Sequence, residues 1–263
     1  MIAVEAFKQA RRGRTALSLL ILAGIPVLMG LALVLAGAEG NGDGFVSRVT
    51  SNGLFLPIAA VAATSRLFLV VVAALFLGEG VASESAWGTE RYLLVRPVSR
   101  RRYLVAKVII GHALVTIAVS VVAVAGLVVG AVLFGIQPIA MFGIDLSVGQ
   151  TLARLALTIA YVSLNLLVIG AIGLLVAVFT ESSAAALVGA VGVGITSQIL
   201  DAISALGDVR RFLPTHYWGA WIDLFRIGTP LEEMRNGVVL GLGYSVAILL
   251  IAFWAYEAKD INS

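Results

Sequence analysis

Long apolar runs, separated by short polar and basic connections, dominate the pattern along this chain. Six of them stand out: Thr15–Ala36, Leu54–Leu77, Leu104–Phe134, Leu152–Phe179, Ala184–Ile203 and Gly237–Trp254. A helix rises about 1.5 Å per residue, so about 20 apolar residues cross about 30 Å of hydrocarbon. Each run is therefore predicted to be a transmembrane helix, and the two longest have length to spare for tilt or for extension beyond the lipid. Open strands would leave backbone groups unpaired in lipid, and no alternating barrel pattern is present. The fold expected is an all-α membrane protein of six transmembrane helices. No linker or low-complexity tract divides residues 1–263, so a single transmembrane domain is expected.

Composition strengthens that picture. Hydrophobic residues make up 60% of the chain and charged residues 13%, against about half and a quarter in soluble domains. The mean hydropathy is +1.03. Cysteine is absent, which excludes disulfides, thiolate metal sites and thiol nucleophiles. Lys8, Arg11, Arg12 and Arg14 before the first run, with Ala36-Gly37-Ala38 after it, imitate a secretion signal. The run is about 22 residues long, however, against roughly 7–15 for a signal core, so a retained helix is expected. High Ala, Val, Gly and Arg content points to a GC-rich prokaryote, and hence to its cytoplasmic membrane.

Lysine and arginine set the orientation. With the N-terminus cytosolic, Lys8, Arg11, Arg12 and Arg14 lie inside, as do Arg91, Arg96, Arg100, Arg101, Arg102, Lys107 and Lys259. The first and middle outer connections then carry only Arg48 and Arg154. The segment from Ser204 to Asn236 resists, because it holds Arg210, Arg211, Arg226 and Arg235 yet falls outside. Early helices usually dominate topology, so both termini are expected in the cytosol. Glycines at Gly126/Gly130, Gly237/Gly241 and Gly189, Gly192 and Gly194 offer close helix approach; packing within one subunit is favoured over a dimer contact.

Two regions on the cytosolic side suggest docking. In Met1–Arg14, apolar Ile2, Val4, Phe7 and Ala10 interleave with Glu5, Lys8, Arg11 and Arg12. This suits an N-terminal interfacial helix against membrane lipids, serving either as a topology anchor or in docking. From Gly78 to Lys107 the chain is too polar to cross lipid, yet Trp87, Tyr92, Leu93 and Leu94 are too apolar for an idle loop. Pro97 removes a backbone donor and disfavours helix at Arg96, after which Ser99 can cap a new helix. A short cytosolic helix, a break and a basic re-entry are predicted.

The order Glu84, Gly88-Thr89, Leu93-Leu94, Pro97-Val98-Ser99-Arg100 and Lys107 resembles that of ABC-2 type exporter permeases. The resemblance implies a six-span subunit with cytosolic termini. It also implies a coupling helix, carried by Glu84, Gly88, Thr89, Leu93, Leu94, Pro97, Ser99 and Arg100, that seats on a separate ATP-binding subunit. The implied partners are two cytosolic ATPases and a second permease copy, identical or related. ATP and Mg would then be held by the ATPases and no cofactor by this chain. A polar, partly helical outer segment before the last span is part of the same layout. The family exports drugs, lipids and glycans, and the apolar character of this chain favours a hydrophobic or amphipathic compound.

Arg66 falls near the middle of the second span. A charge at the bilayer centre costs about 2.5–3.5 kcal/mol on insertion scales, so it should face protein, water or a partner. Asp201 is the candidate ion partner and Glu181 a weaker one. The resemblance implies that the second and fifth spans line the translocation route, which would place Arg66 there. A structural ion pair, or a long side chain reaching the interface, is favoured slightly over a substrate contact. In the outer segment Arg210–Phe225, which includes Pro214, an α-helical period puts Trp218, Trp221, Ile222 and Phe225 on one face. An aromatic anchor at the membrane interface is preferred there to a gate.

No Gly-x-x-x-x-Gly-Lys-[Ser/Thr] loop occurs, so this chain lacks the loop that cradles ATP phosphates. His112 and His216 are far apart in sequence, and no His/Asp/Glu group has metal-ligand spacing. No catalytic residue and no metal site are expected, and no nucleic-acid partner. Two alternatives stay open: a permease of a periplasmic copper-site assembly system, and a membrane-embedded enzyme acting on lipids.

Overall fold

The computed structural model describes residues 2–37, 49–86, 99–141, 143–180, 182–228 and 231–258. Apart from one small hairpin the described chain is helical. In order come α1 (Ile2–Ala10), α2 (Gly13–Gly37), α3 (Phe55–Ser65), α4 (Phe68–Ala86) and α5 (Arg100–Phe134). After β1 (Ile139–Met141) and β2 (Ile144–Leu146) follow α6 (Val148–Thr180) and α7 (Ser183–Ala202). Two 3₁₀ helices, Ser204–Phe212 and His216–Phe225, lead into α8 (Glu232–Ala258).

Among the described residues, α2, α5, α6, α7 and α8 are long and apolar enough to cross a membrane, and the chain is a multi-pass, all-α membrane protein. The stretch predicted as a single second span differs: it is the pair α3 and α4, bent by 61°. The central element is α6, 67% of whose most apolar window is buried, against 17–33% for the other four. It packs on α4 and α8 most extensively, with α7 and α5 beside it. The outer helices turn the rest of their apolar surface away from the protein, as at Leu20, Val132, Val188 and Trp254, each about 70% exposed or more. Such continuous apolar surface is stable in lipid.

Close approach inside the bundle depends on glycine. A Cβ at Gly130 would collide with the backbone of Gly53, and one at Gly126 would stand 2.8 Å from Pro57 Cα, so α5 meets α3 backbone to backbone. Gly237 and Gly241 face Tyr161 and Asn165 of α6, and Gly189 and Gly194 face Val176 and Ile169. Gly192 meets nothing within 4 Å. Buried hydroxyls bond to their own helix: Thr64 Oγ1 donates to the Ala60 carbonyl at 2.8 Å and Thr158 Oγ1 to that of Arg154 at 3.0 Å. No polar partner has to cross the core for these groups.

The two ends of the bundle differ in character. At one end α5 begins, with Ser99 Oγ accepting from the Arg102 N–H at 3.4 Å. Tyr103 stacks on Tyr256 with ring centroids 5.9 Å apart, and Arg100 Nη1 donates to the Glu257 carbonyl at 3.2 Å. Both described chain ends therefore meet here. The side chain of Glu84, together with Gly88, Thr89, Leu93, Leu94 and Pro97, lies outside the described residues, as does Glu181. At the opposite end α5 stops at Gly135 (φ +74°), a conformation that suits glycine. The Gly135 carbonyl accepts from the Gly53 N–H at 2.9 Å. The antiparallel hairpin beyond it pairs Ile139 with Leu146, an element the sequence pattern does not announce.

Candidate functional site

The bend between α3 and α4 falls at Arg66-Leu67. In lipid a broken helix must have its freed carbonyls answered by other groups. Here Gln198 of α7 does so, its Nε2 donating to the Arg66 carbonyl at 3.0 Å. Just before the bend Ser65 Oγ donates back to the Ala62 carbonyl at 3.2 Å, a local bond of the kind that bends helices. Ser65 thus bonds locally at the break, and Gln198 of α7 braces it from outside.

The Arg66 side chain is exposed and reaches the 3₁₀ helix His216–Phe225. A Cβ at Gly219 would stand 3.9 Å from Arg66 Nη2. Around it lies a pocket of about 200 Å³ lined by Arg66, Gln198, Asp201, His216, Trp218 and Glu233, with Thr215, Gly219 and Ala220 completing the wall. Sequence reasoning brought Arg66 and Asp201 together, and both line this pocket. It assigned the wrong ion pair. The Asp201 carboxylate contacts His216 Nδ1, while Arg210 Nη1 donates to the Asp201 backbone carbonyl at 3.0 Å. Among the described residues no acid lies within ion-pair distance of the Arg66 guanidinium. In the sequence His216 is measured only against the distant His112; it lies 15 residues from Asp201, and no periodic signal links the two.

The outer segment also departs from expectation. Its helix is 3₁₀, with three residues per turn, so positions three apart fall on one side. That side carries Trp218, Trp221 and Leu224, all buried, and Phe225 next to them is fully buried. Trp221 and Phe225 meet edge to face at 6.4 Å. The aromatics thus fill the bundle and do not form an interfacial belt. Pro214 is half-buried in the turn between the two 3₁₀ helices. The segment is tied down at several points: Tyr161 Oη donates to the Tyr217 carbonyl at 2.7 Å, Arg154 Nη1 bonds to the Leu224 carbonyl, and the hydroxyls of Ser197 and Thr215 lie 2.7 Å apart. Among the described residues no group of three or more His, Asp or Glu is placed to hold a metal ion.

A second polar cluster occupies the other end of the bundle. Lys107 Nζ lies 2.7 Å from Glu5 Oε1, and Gln9 Nε2 donates to the same oxygen at 3.0 Å. Glu5 and Gln9 are buried while Ile2, Val4 and Phe7 are exposed, so α1 turns its polar side to the protein and its apolar side outward, as an in-plane membrane helix does. Arg14 pairs with Glu79, and a Cβ at Gly80 would stand 3.4 Å from Gln9 Nε2. Both flanks of segment 81–98 are thereby held against α1 and the start of α2.

A family model described as a protein of unknown function (DUF2705) matches residues 44–262, and the chain belongs to that family. A search of curated proteins finds no match to the chain.

Proposed function

We propose that the chain is the permease subunit of an ATP-binding cassette exporter, carrying a hydrophobic or amphipathic compound across the cytoplasmic membrane. On this reading it has six spans, with the α3/α4 pair as the second and both termini cytosolic. Two separate ATPase chains dock on a coupling helix within Glu84–Arg100, and a second permease copy completes the route. One observation carries the reading. The helix α4 runs from the break at Arg66 into segment 81–98, so a push on its far end reaches the polar pocket through about 28 Å of helix. The anchoring of both flanks by α1 and α2 makes such a push act on several helices together. ATP-bound and ATP-free states of the partner would then favour different tilts of these helices, a shift of populations driven by differential binding.

The test is a mild-detergent pull-down of the tagged chain from its native membrane, with mass spectrometry of what co-purifies. A stoichiometric ATP-binding subunit that is lost on Glu84→Ala or Arg100→Glu is the expected result. A folded chain that brings down no ATPase would overturn the proposal. The Asp201–His216 contact favours a second reading, a membrane-embedded enzyme acting on lipids, because a carboxylate on Nδ1 orients an imidazole as a general base. Lipid turnover by the isolated chain, abolished by His216→Asn, would establish that alternative.

A further inference from the structure

We infer that the Arg66 pocket is a headgroup site for a zwitterionic amphipathic compound, one bearing a phosphate or carboxylate next to an ammonium. The inference deepens the exporter reading and rests on it only in calling the ligand a substrate. Two charges of opposite sign line the pocket without pairing to each other. Arg66 presents a guanidinium with no acid within ion-pair distance among the described residues, and Glu233 presents an exposed carboxylate. The third charged group, Asp201, is already engaged by His216. Trp218, only 8% exposed, closes one wall of the pocket. A guanidinium suits phosphate or carboxylate; a carboxylate lining the same pocket suits an ammonium and repels a head carrying net negative charge.

Size and surroundings assign the rest of the ligand. At about 200 Å³ the pocket is smaller than the roughly 300–1,000 Å³ that encloses a drug-sized molecule, so it fits a polar head alone. Next to Arg66 the chain exposes Leu67 and Phe68, and α7 exposes Ile199 and Leu200 beside Gln198 and Asp201. This apolar surface adjoins the polar pocket and would take the apolar part of the compound. Arg66 is thus a binding residue, held at the mouth by the break in the second span and by the glycine opposite it.

Binding to the purified full chain in a sugar-headed detergent tests the inference without any ATPase. The probes are dihexanoyl phosphatidylethanolamine, dihexanoyl phosphatidylglycerol and free phosphorylethanolamine. The ethanolamine lipid should bind more tightly than the glycerol lipid and than the free head. Arg66→Gln should weaken both lipids about tenfold or more, the scale of a charge-assisted hydrogen bond. Glu233→Gln should weaken the ethanolamine lipid alone. If Arg66→Gln fails to fold, the Glu233 variant decides. Equal binding of the two lipids with no effect of Glu233→Gln would overturn the site, and free phosphorylethanolamine binding as tightly as the lipid would overturn the apolar half. Loss of binding with an ATPase still recovered would leave the exporter reading intact, and binding without an ATPase would do the reverse.

Discussion

Removing the Glu5 carboxylate should release α1 from the bundle while the spanning helices stay folded. Glu5 Oε1 receives Lys107 Nζ at 2.7 Å and Gln9 Nε2 at 3.0 Å, and the Lys107 side chain is only 3% exposed. Lys107 Nζ also lies 5.3 Å from the centre of the Tyr103 ring. Breaking a fully buried pair by deleting one partner costs about 3–5 kcal/mol. The Glu5 side chain keeps 11% of its surface, so a discounted figure of about 2–3 kcal/mol is appropriate for Glu5→Ala. At about 1.4 kcal/mol per tenfold, that raises the undocked population roughly 30- to 150-fold. The helix would stay at the membrane surface through Ile2, Val4 and Phe7, but with its polar side no longer turned to Lys107.

The chain has no cysteine, so one introduced thiol reports cleanly. Gly80→Cys puts the thiol under α1, its Cβ 3.4 Å from Gln9 Nε2 and 3.7 Å from Lys107 Cδ. Thiol labelling of this variant should be slow, and should accelerate by about the factor above when Glu5→Ala is added. Glu5→Gln should fall between, since the amide oxygen still accepts from Gln9. Adding Lys107→Met to Glu5→Ala should bring the rate part of the way back, because the ammonium that the Glu5 carboxylate had faced is then removed with it. Equal labelling rates with and without Glu5 would refute the reasoning and leave the ion pair without a role in docking α1.

Gly130→Val should abolish the monodisperse peak in size-exclusion chromatography, because its side chain would occupy the backbone of Gly53, whereas Gly192→Ala should leave that peak unchanged. Val209, 63% exposed in the outer segment, gives a topology reporter: Val209→Cys should react with an impermeant thiol reagent on intact cells, and protection there would invert or renumber the spans.

The membrane spans could be read directly because hydropathy over 20 residues is a local property: α2, α5, α6 and α8 each contain the run that announced them, and α7 falls one residue short of its own. The break in the second span could not. Its stretch is apolar throughout except for Thr64, Ser65 and Arg66, and what holds the bend is a donor on Gln198, 132 residues away. Arg66 and Asp201 were found by the cost of charge in lipid, which locates a site without identifying its pairs. The partner of Asp201 depends on how residues 204–215 fold back, and that path turns at Gly207, whose φ of +53° suits glycine. The face of Trp218, Trp221 and Phe225 is legible in the sequence, and all three are buried. A period of 3.6 misses Leu224, which winding at three residues per turn brings to the buried side, and Ile222 is only half-buried.

The four arginines that resisted the topology reading have a structural explanation. Arg211 pairs with Asp208 and Arg226 with Asp223, each one 3₁₀ turn apart at 3.1 Å. Arg210 donates to the backbone carbonyl of Asp201, and Arg235 sits in the first turn of α8 beside Glu232 and Glu233. Here two arginines meet an aspartate three residues back, and Arg210 answers a carbonyl in the last turn of α7, which has no partner within that helix. At the opposite end Arg14, Arg100 and Lys107 bond between elements instead, to Glu79, the Glu257 carbonyl and Glu5. Counting Lys and Arg treats both groups alike, because it registers charge and not the groups that bind it. The separation appears only once the chain is folded: one set stabilises a segment locally, and the other ties the N-terminal helices and the last helix to the flanks of 81–98. A basic segment between α7 and α8 is therefore compatible with cytosolic termini, since three of its four arginines are bound within the segment or by the helix before it.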